Sequence, residues 1–155
     1  MFQTLIPSAL DPSLYIPELR SRRKESALGE IVACAERAGH VRHGEAVLRL
    51  LVYREALGST SPGRAFAVPS VRSLAVPESR IAIARSRRGI AWDAADETPV
   101  SVVALVLSSA ECPAPVHLDW VTRLAAALRL QRNRQRILEA RGFEAVAAVI
   151  REALP

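Results

Sequence analysis

The side chains able to do chemistry in this 155-residue chain are few: three histidines, two cysteines, one acidic cluster and a large supply of arginine. His40 and His43 lie close together, with Glu36 and Glu45 near them in sequence, so a metal centre is the first chemistry to weigh. Such a centre wants two or three convergent imidazoles or thiolates, and the sequence supplies no recognisable set. Both are read as exposed turn histidines, and no metal or other cofactor is expected. Cys34 and Cys112 stand far apart without a Cys-x-x-Cys spacing, and are read as small buried hydrophobes rather than a disulfide. Asp93, Asp96 and Glu97 could serve as an acid pair for proton transfer. Carboxylates that follow an aromatic residue, here Trp92, often order a hairpin through local hydrogen bonds, so a turn and rim role is expected.

The formal net charge of +5 is carried almost wholly by arginine, Lys24 being the only lysine. The densest runs, at 20–24, 85–88 and 129–141, raise the question of a nucleic-acid partner. None is interleaved with aromatics that would stack on bases, and a solvated basic face is the expectation. Nucleic acid is therefore not an expected partner.

The elements that would position these groups follow from periodicity and punctuation. Pro7, Pro12 and Pro17 predict an extended lead-in over residues 1–20, with a short strand at about Leu14 to Ile16 and helices only afterwards. Leu28, Ile31, Val32 and Ala35 mark one face of a helix over 21–38, which Gly39 stops. A second helix over 43–57 carries Val47, Leu50, Leu51 and, one turn on, Arg54, so that the arginine emerges at the end of a buried stripe. Ala65 to Val68 reads as a short strand that delivers Pro69 and Ser70 to a sheet edge, Pro69 ending the ladder. Arg80 to Ala84 reads as a half-exposed strand continuing toward Trp92, and Val100 to Leu107 as a strand covered on both faces. After a loop at 111–115 come helices at 116–130 (Leu118, Val121, Ala125 and Leu128 on one face), 133–140 and 143–154 (Phe143, Val146, Ala147 and Ile150). This order predicts a three-layer α/β/α sandwich in which helices flank a small mixed sheet, as one domain over residues 21–155 after the lead-in.

The stretch from Leu51 to Arg72, LVYREALGSTSPGRAFAVPSVR, resembles the signature of the type-2 enzyme IIA domains of the phosphoenolpyruvate sugar phosphotransferase system, the fructose, mannitol and nitrogen-regulatory class. In that family an Arg-Glu pair ends a helix, a Gly-Ser-Thr turn follows, and a short strand runs into Pro-His, whose histidine accepts the phosphoryl group. Here Pro69 is followed by Ser70. The run Ala91 to Val100 is similar to a loop of the family between two strands, and His117-Leu118 is similar to its second, non-phosphorylated histidine at a helix start. The resemblance implies a mixed-sheet fold. It also implies a site made of Arg54, Ser70 and His117, with Gly58, Ser59, Thr60 and Pro69 as its loop.

On that resemblance, relay chemistry is in doubt. A phosphoramidate on imidazole has the transfer potential to pass its group forward, and the ring is nucleophilic near neutral pH. A serine hydroxyl needs an adjacent general base, and its phosphate ester is too stable to hand on. Ser70 is a dead-end acceptor at most. By resemblance Arg54 would neutralise phosphoryl oxygens, a task its fork of donors suits, and His117 would donate a hydrogen bond beside the phosphorylated ring. Against this stand a helix-terminal arginine that answers the helix dipole or pairs with Glu55 or Asp93, and a solvated helix-start histidine.

The leading expectation is thus a regulatory protein-binding module of nitrogen-regulatory type. Its partners would be phosphotransferase components, sensor kinases, transporters or regulators. An active phosphocarrier using His117 or another acceptor is the alternative, and binding of phosphate or a phosphometabolite in the degenerate site a third. No apolar stretch approaches the roughly 20 residues of a membrane span, and Met1 to Thr4 lacks a basic start, so a cytoplasmic protein is expected.

Overall fold

The computed structural model describes residues 6–154; the part of the expected lead-in over residues 1–5 lies outside them. In chain order the elements are α1 (Ile6–Ala9), β1 (Leu10–Ile16), α2 (Lys24–Arg37), α3 (Gly44–Ala56), β2 (Phe66–Ala67), β3 (Ser70–Ser73), β4 (Arg80–Ile90), β5 (Val100–Ser109), α4 (Ala114–Leu128), α5 (Gln131–Glu139) and α6 (Phe143–Ala153). The five strands make one mixed sheet in the order β1-β4-β5-β2, with β3 following β2 along the same flank of β5. β1 runs parallel to β4, β2 and β3 run parallel to β5, and the central pair β4–β5 is antiparallel.

Two apolar cores lie on the two faces of this sheet. On one, Leu28, Ile31, Val47 and Leu51 of α2 and α3 pack with Val71, Leu105, Leu107 and Trp92. On the other, Trp120, Leu124, Ile137, Val146 and Ile150 of α4 to α6 pack with Phe66, Val68, Ile83 and Val106. The alternation of β5 divides Val106 from Leu107 between the two, so the three-layer sandwich follows directly from period-two patterning of a strand covered on both sides.

Several elements differ from the sequence expectation. The proline-containing segment is not merely a lead-in: β1 starts at Leu10 and is an edge strand, paired from Leu10↔Ile81 to Ile16↔Ala84. Pro12 falls within a register irregularity between Leu10 and Tyr15, where an edge strand tolerates a missing donor. A single helical turn, α1, comes before it, and Pro7 occupies its beginning, where the N–H has no intrahelical use. Pro69 does not end the ladder. β3 resumes directly after it, with Ser70↔Val106 and Arg72↔Ser108 in register, because proline lacks a donor but keeps its carbonyl, which accepts from the Val106 amide at 3.0 Å.

β4 is not half-exposed. Ile81 through Ser86 are buried, since β4 lies between β1 and β5 under both helical layers. Its buried Arg85 donates to the carbonyls of Pro17 (3.0 Å), Ile137 (2.8 Å) and Ala140 (2.8 Å), so the guanidinium closes the C-terminal end of α5. In α3 the buried stripe is Val47, Leu51 and Glu55, which leaves Leu50 and Arg54 on the exposed side. α4 starts at Ala114 and not at 116, and its buried face is Trp120, Leu124, Ala127 and Leu128, so Leu118 is exposed. Cys112 is buried, whereas Cys34 is only partly so and directs its Sγ to the Ser13 carbonyl at 3.4 Å.

Candidate functional site

Ser70 opens β3 immediately after Pro69 and is half-buried. Across from it, Pro113 caps α4 in an extended conformation and its carbonyl accepts the His117 amide at 3.1 Å, which fixes His117 in the first turn. The imidazole bridges the strand edge. Its Nε2 lies 3.2 Å from Ser70 Oγ and its Nδ1 lies 2.6 Å from Ser108 Oγ. The structure therefore brings together two of the residues expected at the site and adds Ser108, which sequence reasoning did not single out.

Ser108 sets the tautomer. It is fully buried, and Nδ1 is the acceptor within reach of its hydroxyl. If Nδ1 carried the proton, the Ser108 O–H would be left unmade inside the protein at a cost of about 1–3 kcal/mol. The hydroxyl therefore donates to Nδ1, and the ring proton sits on Nε2, pointing at Ser70. Burial, seconded by the nearby Arg72 guanidinium, holds the His117 pKa below its ordinary value of 6.5. The ring is a neutral donor toward Ser70. It is not a base for the Ser70 hydroxyl.

Arg72 shares this setting. It is opposite Ser108 in the ladder and two residues beyond Ser70 on the same strand, so all three side chains project from one face of the sheet toward α4. It stood inside the recognised stretch, and period-two alternation from Ser70 is the signal that would have found it.

Arg54 is placed differently. Its helix packs on the opposite core, and its guanidinium donates to the Gly58 carbonyl at 2.7 Å, closing its own helix end. It bonds neither Ser70 nor His117, and it pairs with neither Glu55 nor Asp93. The companion of the pair, Glu55, is buried instead. It accepts from the Thr60 amide (3.1 Å), the Thr60 hydroxyl and Trp92 Nε1 (3.2 Å), with Lys24 Nζ at 3.5 Å. Ser59 Oγ donates to the Trp92 carbonyl, and the Thr60 carbonyl accepts the Val68 amide. The loop Gly58, Ser59 and Thr60 is thus clamped from below by Glu55 and leads directly toward Pro69 and Ser70.

The remaining candidates serve turns. The Asp96 carboxylate accepts the amides of Arg64 (2.8 Å) and Thr98 (3.0 Å), and these bonds hold its pKa low. Asp93, itself at positive φ, lies 3.6 Å from Lys24. Glu36 accepts the Gly44 amide at 2.9 Å and steadies the start of α3 beside His43. His40 meets Ser13 Oγ at 3.0 Å and Asp11 at 3.7 Å, so it is a partnered residue rather than an exposed one. Among the described residues no helix is long and apolar enough to cross a membrane, and no group of three or more His, Cys, Asp or Glu gathers as metal ligands.

Comparison with known proteins bears on this arrangement. Residues 8–153 match the family model described as phosphoenolpyruvate-dependent sugar phosphotransferase system, EIIA 2. The chain is 31% identical over 151 residues to a nitrogen regulatory protein of Bradyrhizobium diazoefficiens, covering 97% of this chain and 95% of that one. It is 27% identical over 134 residues to the fructose-specific EIIABC component of Bacillus subtilis, covering 86% of this chain but only 21% of that much longer protein. The crystal structure of the nitrogen regulatory protein IIA-Ntr from Neisseria meningitidis superposes with a TM-score of 0.86 at 27% identity, covering 95% of this chain and 99% of that one.

Proposed function

The chain belongs to the EIIA 2 family of the phosphoenolpyruvate-dependent sugar phosphotransferase system, and we propose that it is a relay-silent member: a regulatory protein of nitrogen-regulatory type that acts by binding other proteins in the cytoplasm. The observation that carries this reading is the 2.6 Å contact between Ser108 Oγ and His117 Nδ1. With Ser70 at the position that the resemblance gives to the phosphorylated histidine, His117 is the imidazole left in the site. Its Nδ1 is taken by a buried hydroxyl and its Nε2 bears the proton, so neither nitrogen offers a lone pair to phosphorus. Exposing one costs about 1–3 kcal/mol before any chemistry begins, a handicap of about 5-fold to 150-fold. The alternative of His117 as acceptor is disfavoured on that ground. Ser70 has no base beside it in this tautomer.

The fold and docking face are expected to be intact, and this gives the test its control. The protein is incubated with phosphoenolpyruvate and the two general upstream proteins of the phosphotransferase system, and read by intact mass. The native chain should stay unlabelled while Ser70→His gains one phosphoryl group. Acid-labile phosphate on the native chain that passes to a downstream protein, and that His117→Ala abolishes, would overturn the proposal.

A further inference from the structure

The fold brings together two of the basic runs, those at 20–24 and 85–88, that the sequence holds far apart. Beyond β1 the chain continues alongside the far part of β4. The Leu19 amide donates to the Arg85 carbonyl at 2.7 Å, the Ala91 amide to the Arg22 carbonyl at 2.9 Å, and the Lys24 amide to the Ala91 carbonyl at 3.2 Å. Arg20 therefore lies beside the segment that carries Arg87 and Arg88, and these three line one cleft of about 420 Å³ with Glu18 and Leu19. All three arginines are exposed. The cleft is set apart from Ser70. That residue stands beside Val106, whereas Arg87 and Arg88 lie between Arg85, opposite Val102, and Ile90, opposite Val100, toward the other end of the central strand pair.

The frame beneath these arginines is fixed. Between Arg85 and Ile90 the register of β4 against β5 shifts, as a bulge requires. The buried Ser86 hydroxyl accepts the Gly89 amide at 3.1 Å, and Gly89, at φ +86°, approaches Pro99 so closely that a Cβ would come within 2.6 Å of it. The buried Arg85 ties this bulge to its neighbours through the carbonyls of Pro17 on one side and of Ile137 and Ala140 on the other. Arg87 gives one N–H to the Leu138 carbonyl at 3.4 Å, which steadies its side chain and leaves its other donors available. The carboxylates of the region serve the backbone: Glu18 accepts the Arg87 amide at 3.1 Å, and Glu30 accepts the amides of Arg20 and Ser21 at 3.1 Å. Among the described residues that line the cleft Glu18 is the one acid, so three guanidiniums against one carboxylate leave its lining with a net charge of +2. Like charges held together on a rigid frame repel, and a bound anion relieves them.

We propose that Arg20, Arg87 and Arg88 form a binding site for a chain of two or more linked phosphates, recognised through its oxygens alone. Each guanidinium is a planar fork that bonds two oxygens at once. Three such forks present more donors than one phosphate tetrahedron can face, and suit tetrahedra joined in a row. A cleft of this volume lies within the range of small-molecule sites. No aromatic side chain is among the described residues that line it, so nothing there stacks on a base. A nucleoside diphosphate would thus be held by the same contacts as inorganic pyrophosphate. The site neither uses nor needs the chemistry at Ser70.

The probes are inorganic pyrophosphate, orthophosphate and ADP, titrated in turn into the native full chain by calorimetry at about 0.15 M salt, where diffuse surface attraction is screened. Pyrophosphate should bind with a Kd of about 1 mM or tighter, orthophosphate at least about tenfold more weakly, and ADP within about tenfold of pyrophosphate. Arg20→Gln and the double variant Arg87→Gln/Arg88→Gln, confirmed as folded by circular dichroism, should each weaken pyrophosphate binding by at least about tenfold, the loss expected for a charge-assisted hydrogen-bonding group. Arg49→Gln, which removes the same charge from the exposed side of α3, should leave it unchanged. Absence of pyrophosphate binding up to about 10 mM would overturn the proposal. So would orthophosphate bound as tightly as pyrophosphate, ADP bound more than about tenfold more tightly than pyrophosphate, affinity that survives Arg20→Gln, or a loss in Arg49→Gln equal to that in the cleft variants.

Discussion

The stretch from Arg54 to Arg72 feeds two polar clusters on opposite faces of the sheet, and they are built on opposite principles. Around Glu55 every group is answered. The carboxylate meets Thr60, Trp92 and Lys24, Ser59 holds the Trp92 carbonyl, and Glu55 and Trp92 at the centre of the knot are buried on the α2–α3 side. Around Ser70 the bonding is closed only at the back, where the buried Ser108 fixes His117, and open at the front, where the Ser70 hydroxyl and Arg72 face outward. A fully satisfied buried network rigidifies, while donors at a surface exchange their water for a partner at little cost. On the proposed reading the first cluster serves stability and the second recognition, although residues of one continuous stretch take part in both.

The sharpest way to break that division is to remove Glu55. Glu55→Ala takes the acceptor from the Thr60 amide and hydroxyl and leaves the buried Trp92 N–H only its 3.3 Å contact with Thr60 Oγ1, while the half-buried Lys24 keeps Asp93 at 3.6 Å, so the expected cost is that of lost buried hydrogen bonds, about 1–3 kcal/mol. Urea unfolding followed by the fluorescence of the buried Trp92 should show a loss of that order. Glu55→Gln keeps an acceptor for Thr60 and should lose much less. The contrasting change, Ser70→Ala, should shift the midpoint very little. If Ser70→Ala proved as destabilising as Glu55→Ala, the two clusters would not divide stability from recognition as argued.

Most of the fold could be read from the chain because its signals are local. The apolar spacing of α2, the valine-rich run of β5 and the pattern of α6 each carry their own period, and the structure places Leu28, Ile31, Val32 and Ala35, or Val146, Ala147 and Ile150, on the buried faces expected of them. What escaped was set by neighbours. β3 exists because β5 offers Val106 to Ser109 as a template past Pro69, and β4 is buried because it lies between β1 and β5 under both helical layers, its Arg85 turned onto carbonyls of other elements. The site divides the same way. Ser70 and His117 stood in recognisable sequence contexts. Ser108 lies at the end of an apolar strand where nothing local marks it, and its role appears only when α4 is laid across the sheet. Arg54 does not emerge at the end of the buried stripe as periodicity suggested, because that stripe of α3 runs from Val47 through Leu51 to Glu55.

A smaller effect sharpens the recognition side. Ser108→Ala removes the hydroxyl that holds the ring proton on Nε2, and should cost about 1–2 kcal/mol for a buried hydrogen bond to a neutral partner. Its more telling consequence is spectroscopic. In the native protein, nitrogen chemical shifts of His117 should report an Nε2–H tautomer with an unprotonated Nδ1, and in Ser108→Ala a mixture of the two. A native ring found protonated at Nδ1 would free Nε2 to act as a base toward Ser70, and would undo the relay-silent reading.

The gentlest perturbation is pH, and its sign follows from the same geometry. Because burial and Arg72 hold His117 below 6.5 in the folded protein, the unfolded chain takes up a proton first as pH falls. Stability is therefore full above 6.5, falls as pH drops from there toward the depressed folded value, and levels off below it. Asp11 and Asp96, whose carboxylates are held below 3.8 by hydrogen bonds from Ser13 and from the Arg64 amide, act only further down, where acid removes the stability they provide. Thermal unfolding of the native protein between about pH 5 and 7.5 should show the midpoint rising with pH, and His117→Gln should flatten that slope. Protonation also turns Nδ1 into a donor, so that Ser108 Oγ must accept and its buried hydroxyl proton loses its acceptor, and the acid side weakens the contact that orients the ring. Arg72→Gln should reduce the slope without abolishing it, since burial is the larger cause of the depressed value and the guanidinium the smaller. A slope unchanged in His117→Gln would place the titrating group elsewhere and remove the neutral-donor histidine on which the open cluster depends.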